Sequence, residues 1–390
     1  MQRIVEKKKC CGCEACKEIC PMDAIQMVRD EDGFFFPIIN EKKCINCGVC
    51  SRVCFSQHDI SFRKIDFNDT IAFGGYCKDK AMLERSSSGG FFGVLAKKII
   101  SDGGCVFGVV FSNDFRRVVF TSSDDIDFQN MHGSKYVTAS KNGVYGNVKD
   151  ILITGRQVLF TGLPCEILAL YSFLGREYTN LVTCELICAG PSSYNLLDAQ
   201  IDYLEDKFKN TLDLFEFRYK KYGWGPCSIR GRSGNYSYSK MLDDTIFGVG
   251  MKYAKREACF NCLVKDNKRI ADFTIGDFWN IDKKSNYYNE RGTSVVFTRT
   301  KVAKDLLNKL QGVYLMRVPD EVAVNGNHQQ LKFPSGIPEK RKDYMECLRT
   351  EGGQAAYKKY KPKQNLKERM KNHLPASFYR ILRKIKSQLR

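Results

Sequence analysis

The chain has 390 residues, 43% hydrophobic and 12% aromatic, with 18 cysteines and a formal charge of +18. That length allows two or three domains with cores of their own, the composition excludes a disordered chain, and no apolar run approaches the ~20 residues that cross a bilayer. The start, MQRIVEKKKCCGC, carries no apolar stretch behind its charges, so no secretory signal is expected and the thiols should stay reduced, in a cytoplasmic protein, and open to metal. The basic excess gathers after Tyr357, where twelve Lys and Arg face one acid, Glu368, so net charge describes the tail more than the rest.

Residues 1–60 read as an internal repeat of two Cys-rich loops, with a one-turn helix expected at Cys20–Ile25 and a strand around Phe34–Ile39. A polar connector covers 59–69. Ser88-Gly89-Gly90 then opens an apolar-periodic helix (Phe91, Phe92, Val94, Leu95, Ile99, Ile100) that stops at Asp102-Gly103-Gly104. Strands are expected at Cys105–Phe111 and Arg117–Thr121, and a buried strand from Val158 runs through a tight turn into a helix over Ile167–Leu174. Leu181–Cys188 reads as another buried strand, followed by a helix over Ser193–Lys209. Strands near Phe215–Arg218, Ile270–Ile275 and Val295–Thr298 and a helix over Val302–Leu310 complete a layered α/β or α+β core of underivable strand order. From Tyr357 the tail is Lys-rich, then periodic, with Phe378, Ile381, Leu382, Ile385 and Leu389 on one helical face. Such a face suits an anionic membrane surface, a partner protein, or a solvated or packed terminal helix. Nucleic acid is not expected, because aromatic-rich recognition motifs are missing.

Nine of the eighteen cysteines lie between Cys10 and Cys54. The first run is Cys10-x-x-Cys13-x-x-Cys16-x-x-x-Cys20-Pro21, and the second is Cys44-x-x-Cys47-x-x-Cys50-x-x-x-Cys54-Phe55. Three thiolates two residues apart let one loop ligate three irons of a cuboidal cluster, and the fourth cysteine of each run crosses to the other cluster. Cys10, Cys13, Cys16 and Cys54 would hold one [4Fe–4S] cluster, and Cys44, Cys47, Cys50 and Cys20 a second. These residues resemble bacterial two-cluster ferredoxins. Paired zinc knuckles, which prefer separated C-x-x-C pairs or His partners, fit the doubled run poorly. Two departures stand out: Phe55 replaces the usual proline, and Cys11 is an extra thiol, either a surplus residue or an alternative ligand.

Four further cysteines draw attention beyond this module. Cys165 and Cys188 follow strands, and Cys259 and Cys262 form an isolated C-x-x-C. By spacing alone they fit either a third [4Fe–4S] cluster or two small buried residues plus a zinc pair. Ser86-Ser87-Ser88-Gly89-Gly90-Phe91-Phe92, Gly133-Ser134-Lys135-Tyr136-Val137, Thr161-Gly162-Leu163-Pro164-Cys165, Cys188-Ala189-Gly190-Pro191-Ser192 and Ala271-Asp272-Phe273-Thr274-Ile275-Gly276-Asp277-Phe278-Trp279 follow in order. Together they resemble the beta subunit of coenzyme F420 (deazaflavin) hydrogenases and dehydrogenases.

Composition sets off a basic amphipathic tail over 357–390, and the resemblance implies a ferredoxin-type domain over 1–60 and an FAD- and [4Fe–4S]-binding oxidoreductase domain over 70–345. It implies a third cluster on Cys165, Cys188, Cys259 and Cys262 beside the flavin, and hydride exchange with a substrate such as a deazaflavin. Electrons would pass to a redox partner protein or a small-molecule donor or acceptor, with the tail allowing peripheral contact at an inner membrane surface. Glu166 stands where the family usually has Gln, and Ala189-Gly190 where it often has His-Gly. Ser87, Ser88, Gly89 and Gly90 lie at a helix start suited to a flavin pyrophosphate, or are a plain serine cap. Lys135 would neutralise a phosphate or the reduced flavin, or is solvated. Thr161 and Gly162 would admit a ligand at a strand end. Trp279, Asp277 and His132 are secondary candidates for cofactor packing, loop or ribose holding, and protonation. The rival reading is a non-enzymatic iron–sulfur adaptor without flavin.

Overall fold

The structure is a computed structural model and describes residues 4–58, 60–63 and 65–363. The N-terminal module holds one antiparallel ribbon, β1 (Ile25–Arg29) against β2 (Phe35–Ile39). Its one-turn helices are Ala15–Glu18 and Val49–Arg52, each between the second and fourth cysteines of its run. The helix expected at Cys20–Ile25 is instead a turn, closed by Asp23 N–H donating to the Cys20 carbonyl, with Asp23 at φ 45°. That positive φ ends any helical path and delivers Ile25 straight into β1.

The larger part contributes β3 (Ile71–Cys77), β4 (Cys105–Phe111), β5 (Val118–Ser122), β6 (Val158–Gly162), β7 (Leu181–Leu186), β8 (Leu214–Tyr219), β9 (Ser228–Ser233), β10 (Tyr236–Met241), β11 (Phe273–Asp277), β12 (Ser294–Thr298) and β13 (Val313–Val318). Eight of these form one mixed sheet in the order β13-β3-β12-β11-β7-β6-β4-β5, and β10-β9-β8 form a second, antiparallel sheet. The pairs β11–β7, β7–β6 and β6–β4 are parallel. Covered on both faces, such strands read as continuous apolar runs, and all five residues of β6 are buried. Leu159 faces one core with Phe91, Leu95 and Ile99 of the helix Phe91–Ser101. Val158 and Phe160 face the other, with Val148, Ile167, Leu170 and Leu197.

The strand from Leu181 ends at Leu186 rather than Cys188. Ile187 N–H still donates to the Ile275 carbonyl, but Gly190 at φ 101° turns the chain away from the sheet. The expected boundaries at 345 and 357 both fall within packed helices, Arg341–Thr350 and Gly353–Tyr360. Tyr344 stacks on Tyr253 with centroids 4.8 Å apart, and Tyr360 meets Tyr344 edge-on at 5.2 Å, so aromatic packing carries the larger core through Tyr360. The amphipathic pattern from Phe378 to Leu389 lies outside the described residues.

The two parts are joined by specific contacts. Arg256, only 1% exposed, donates to the Cys10 and Phe35 carbonyls and lies over the Phe34 and Phe36 rings. Tyr145 Oη donates to the Cys13 carbonyl, and the Glu18 carboxylate accepts Tyr145 N–H at the start of the helix Val144–Ile153. A carboxylate there meets unpaired N–H groups and the positive end of the helix dipole. Burial nevertheless pushes Glu18 up to about 7.

Candidate metal and cofactor sites

The N-terminal thiols separate into two groups. Cys10, Cys13, Cys16 and Cys54 line one cavity, and Cys20, Cys44, Cys47 and Cys50 line another. The one-turn helices divide them: Ala15–Glu18 lies between Cys13 and Cys20, and Val49–Arg52 between Cys47 and Cys54. The groupings are those expected from a fourth cysteine that crosses over. The first group is sheltered, while the second reaches the surface at Cys47, beside the exposed side chains of Met22 and Ile45.

Cys165, Cys188, Cys259 and Cys262 line a third cavity, together with Cys11. Each arrives by a different route. Pro164 at the first helical position starts the helix Pro164–Leu174 and sets Cys165 at its mouth. Cys188 follows the end of β7, Cys259 sits in the short helix Glu257–Phe260, and Cys262 lies just beyond it. Gly190 is needed twice over: its φ is left-handed, and a Cβ there would stand 2.9 Å from Cys259 Cβ. Burial pushes the Cys259 thiol up to about 12, with the Cys188 thiol adding to it and Arg256 opposing. Lys265 donates to the Cys188 carbonyl at 3.1 Å and adds positive charge. Among the described residues no three Cys, His, Asp or Glu side chains close on a point fit for a single metal ion. The thiols line three separate cavities, and the two four-cysteine runs of the N-terminal module suit polynuclear cores better than single zinc ions.

A much larger cavity, of about 490 Å³, opens beside the third thiol group and shares Cys188, Ala189, Gly190 and Pro191 with it. Its floor is the carboxyl ends of three parallel strands: Thr161 and Gly162 of β6, Leu186 of β7, and Ile275 to Asp277 of β11. Ligands of open α/β sheets bind at that edge, and the volume lies in the range of small-molecule sites. Ser87, Ser88, Gly90, Lys135, Thr161 and Gly162 all line it. Gly89 packs inward, where a Cβ would stand 2.4 Å from the Gly75 carbonyl oxygen.

Several of these groups are already engaged. Ser87 Oγ accepts from Ser134 N–H at 2.7 Å, and Ser88 Oγ donates to the Thr293 carbonyl. Lys135 Nζ donates to the carbonyls of Asn130, Met131, His132 and Gly133 at 2.9–3.3 Å. Burial lowers its pKa to about 7. Both serines and the lysine therefore brace loops around the cavity. Thr161 Oγ1 differs: it is buried, has no hydrogen-bond partner among the described residues and borders the cavity. His132 is bonded through Nδ1 with Ser86 Oγ at 3.1 Å, and burial with Lys135 nearby lowers it to about 4. The imidazole is neutral at pH 7.

Sequence reasoning missed Arg218 and Tyr136 as cavity residues. Arg218 makes paired bonds of 2.9 and 3.0 Å to Asp277 and donates to Tyr136 Oη and the Ser87 carbonyl. Trp224 Nε1 donates to the same Asp277 carboxylate, and its ring stacks on Trp279 at 5.2 Å. Asp277 is thus a loop-holding residue. An arginine alternating with Phe215 and Phe217 in β8 was the available signal, since it sits opposite the apolar face.

Residues 155–321 match the family model for the C terminus of the beta subunit of coenzyme F420 hydrogenase/dehydrogenase. Over that span the chain is similar to the beta subunit of F420 hydrogenases and dehydrogenases. Residues 9–57 match a 4Fe-4S dicluster domain, which precedes the beta-subunit span. The chain thus carries an iron–sulfur module of the electron-transfer type. No curated protein matches the chain. Among solved structures, a chain of the xenon-derivatised F420-reducing [NiFe] hydrogenase complex from Methanosarcina barkeri aligns at TM-score 0.44 and 16% identity, covering 77% of this chain and 94% of that one. Among the described residues no helix is long and apolar enough to cross a membrane.

Proposed function

We propose that the chain is an iron–sulfur flavoprotein oxidoreductase that passes electrons between FAD in the large cavity and a redox partner at the surface. Two [4Fe–4S] clusters would be held by Cys10, Cys13, Cys16 and Cys54 and by Cys20, Cys44, Cys47 and Cys50, and a third by Cys165, Cys188, Cys259 and Cys262. The observation that carries this reading is continuity. The large cavity shares a wall with the third thiol group, that group shares Cys11, Phe55 and Ser56 with the first N-terminal group, and the second ends at exposed Cys47.

When bound, FAD supplies two-electron hydride exchange and the clusters supply one-electron steps. The chain's own residues position and shield. Thr161 Oγ1, without a hydrogen-bond partner among the described residues, is placed for a polar ring edge. The start of the helix Phe91–Ser101 presents N–H groups suited to a pyrophosphate. Neutral His132 offers a hydrogen bond without charge. Met22 and Ile45 form an apolar rim around Cys47 for a partner protein, and the family's name makes a deazaflavin the first substrate to try.

Protein purified without oxygen is expected to hold acid-labile sulfide and iron for three clusters, with one flavin per chain. Cys13→Ser, Cys47→Ser and Cys262→Ser should each lose one cluster's iron. Absence of acid-labile sulfide would overturn the proposal, and full iron without bound or reconstitutable FAD would favour the adaptor.

A further inference from the structure

Cys11 and Phe55 are the two positions at which the N-terminal module departs from the ferredoxin pattern, and neither has a part in the cluster assignment. Both lie in one place. The first N-terminal thiol cavity and the third thiol cavity share only Cys11, Phe55 and Ser56. Within that wall Cys11 lines the first cavity together with Cys13 and the third together with Cys165. Cys13 belongs to the first group and Cys165 to the third, so Cys11 is a fifth thiol to each and completes neither. The wall is held in register from both sides: Tyr145 Oη and Arg256 bind the Cys13 and Cys10 carbonyls, and Ser172 Oγ binds the Val53 carbonyl.

We propose that Cys11 is a positioning thiol that does not ligate iron and forms the contact through which single electrons cross between the N-terminal module and the third cluster. With Cys10, Cys13, Cys16 and Cys54 holding one cluster and Cys165, Cys188, Cys259 and Cys262 another, a single electron lost by the first would be gained by the second, with no bond formed or broken and no proton required. Electron tunnelling weakens steeply across gaps, and a polarisable sulfur in the wall between the two cavities shortens the gap that matters. Phe55 closes the remainder of the wall against water, where a proline's smaller ring would leave space. This inference rests on the three-cluster reading above.

The test uses the full chain, prepared anaerobically, as wild type, Cys11→Ala and Cys11→Ser. Iron and sulfide are counted first. The protein is then mixed with dithionite, which reaches the exposed Cys47 end, and freeze-quenched for EPR, with the third cluster's signal identified by its loss in Cys262→Ser. Both Cys11 variants should keep the wild-type iron content. In Cys11→Ala the third signal should rise on the order of tenfold more slowly or worse, within the range that about 1 Å of lost placement costs a positioned step, and Cys11→Ser should fall between. A rise at the wild-type rate with full iron would overturn the proposal, as would loss of one cluster's iron in Cys11→Ala, which would make Cys11 a ligand. Wild-type protein lacking three clusters would refute the earlier reading instead.

Discussion

Gly190 stands at φ 101° with Cys259 against the face where a side chain would grow. Gly190→Ala therefore combines backbone strain with a collision and should cost about 1–3 kcal/mol. Because the displaced atom is Cys259 Cβ, the same variant is expected to lose the iron of the third cluster while keeping the other two, as read by iron analysis and urea unfolding. His132 gives a pH signature. Its folded pKa of about 4 lies below the ordinary 6.5, so the unfolded chain binds the extra proton between those values. Its stabilising effect is complete above pH 6.5 and is lost as pH falls through about 4, on the order of 3 kcal/mol at most. His132→Gln should flatten that part of the stability–pH curve relative to wild type, measured by denaturant unfolding from pH 7 to 4.5.

Among the elements, the helix Pro164–Leu174 explains an unusual residue. Glu166, which stands where the sequence resemblance leads one to expect Gln, faces Lys141, whose side chain is 0% exposed. Lys141 Nζ donates to Glu166 Oε1 at 2.7 Å, and Glu166 Oε2 accepts Leu163 N–H at 2.7 Å. The carboxylate beside it holds the Lys141 ammonium well above the usual lysine range, against the opposing effect of burial. Glu166→Gln would keep the cap and strand the cation, a change expected to cost about 3–5 kcal/mol. Lys141→Met with Glu166→Gln should recover most of that loss in urea unfolding. On the opposite face of the sheet, Leu95→Ala should cost about 2–5 kcal/mol for the cavity it opens, without change in iron content. That contrast separates the helix's packing role from the thiol sites.

At the scale of the whole molecule, the proposed electron route depends on how firmly the N-terminal module is seated. Arg256 bonds the carbonyls of Cys10 and Phe35 and lies over the rings of Phe34 and Phe36, and Gly12 leaves room for its guanidinium, 2.7 Å from where a Cβ would stand. Arg256→Ala should remove roughly 2–3 kcal/mol of coupling. Hydrogen exchange over residues 4–58 should quicken while the eight-stranded sheet keeps its protection. Unchanged exchange there would mean that the Tyr145, Glu18 and Ser172 contacts hold the module without it.

The cysteine runs were legible because cluster ligation is largely local: a loop with thiols two residues apart carries most of its geometry in its spacing. The helix Phe91–Ser101 and the strands β4 and β6 were legible for a similar reason, since their periodicity and their stops at Asp102-Gly103-Gly104 and Pro164 act over a few residues. β3 and β13 were not. Gly74 and Gly75 interrupt β3 as a sequence pattern, yet a Cβ at Gly75 would stand 1.9 Å from the Tyr314 carbonyl oxygen, so the glycines that look like a break permit the pairing with β13. Strand order, the placing of Cys11 and Cys165 around one cavity, and the partnership of Arg218 with Asp277 join residues far apart in the chain. Those contacts exist only once both cores have closed, and no spacing along the chain encodes them.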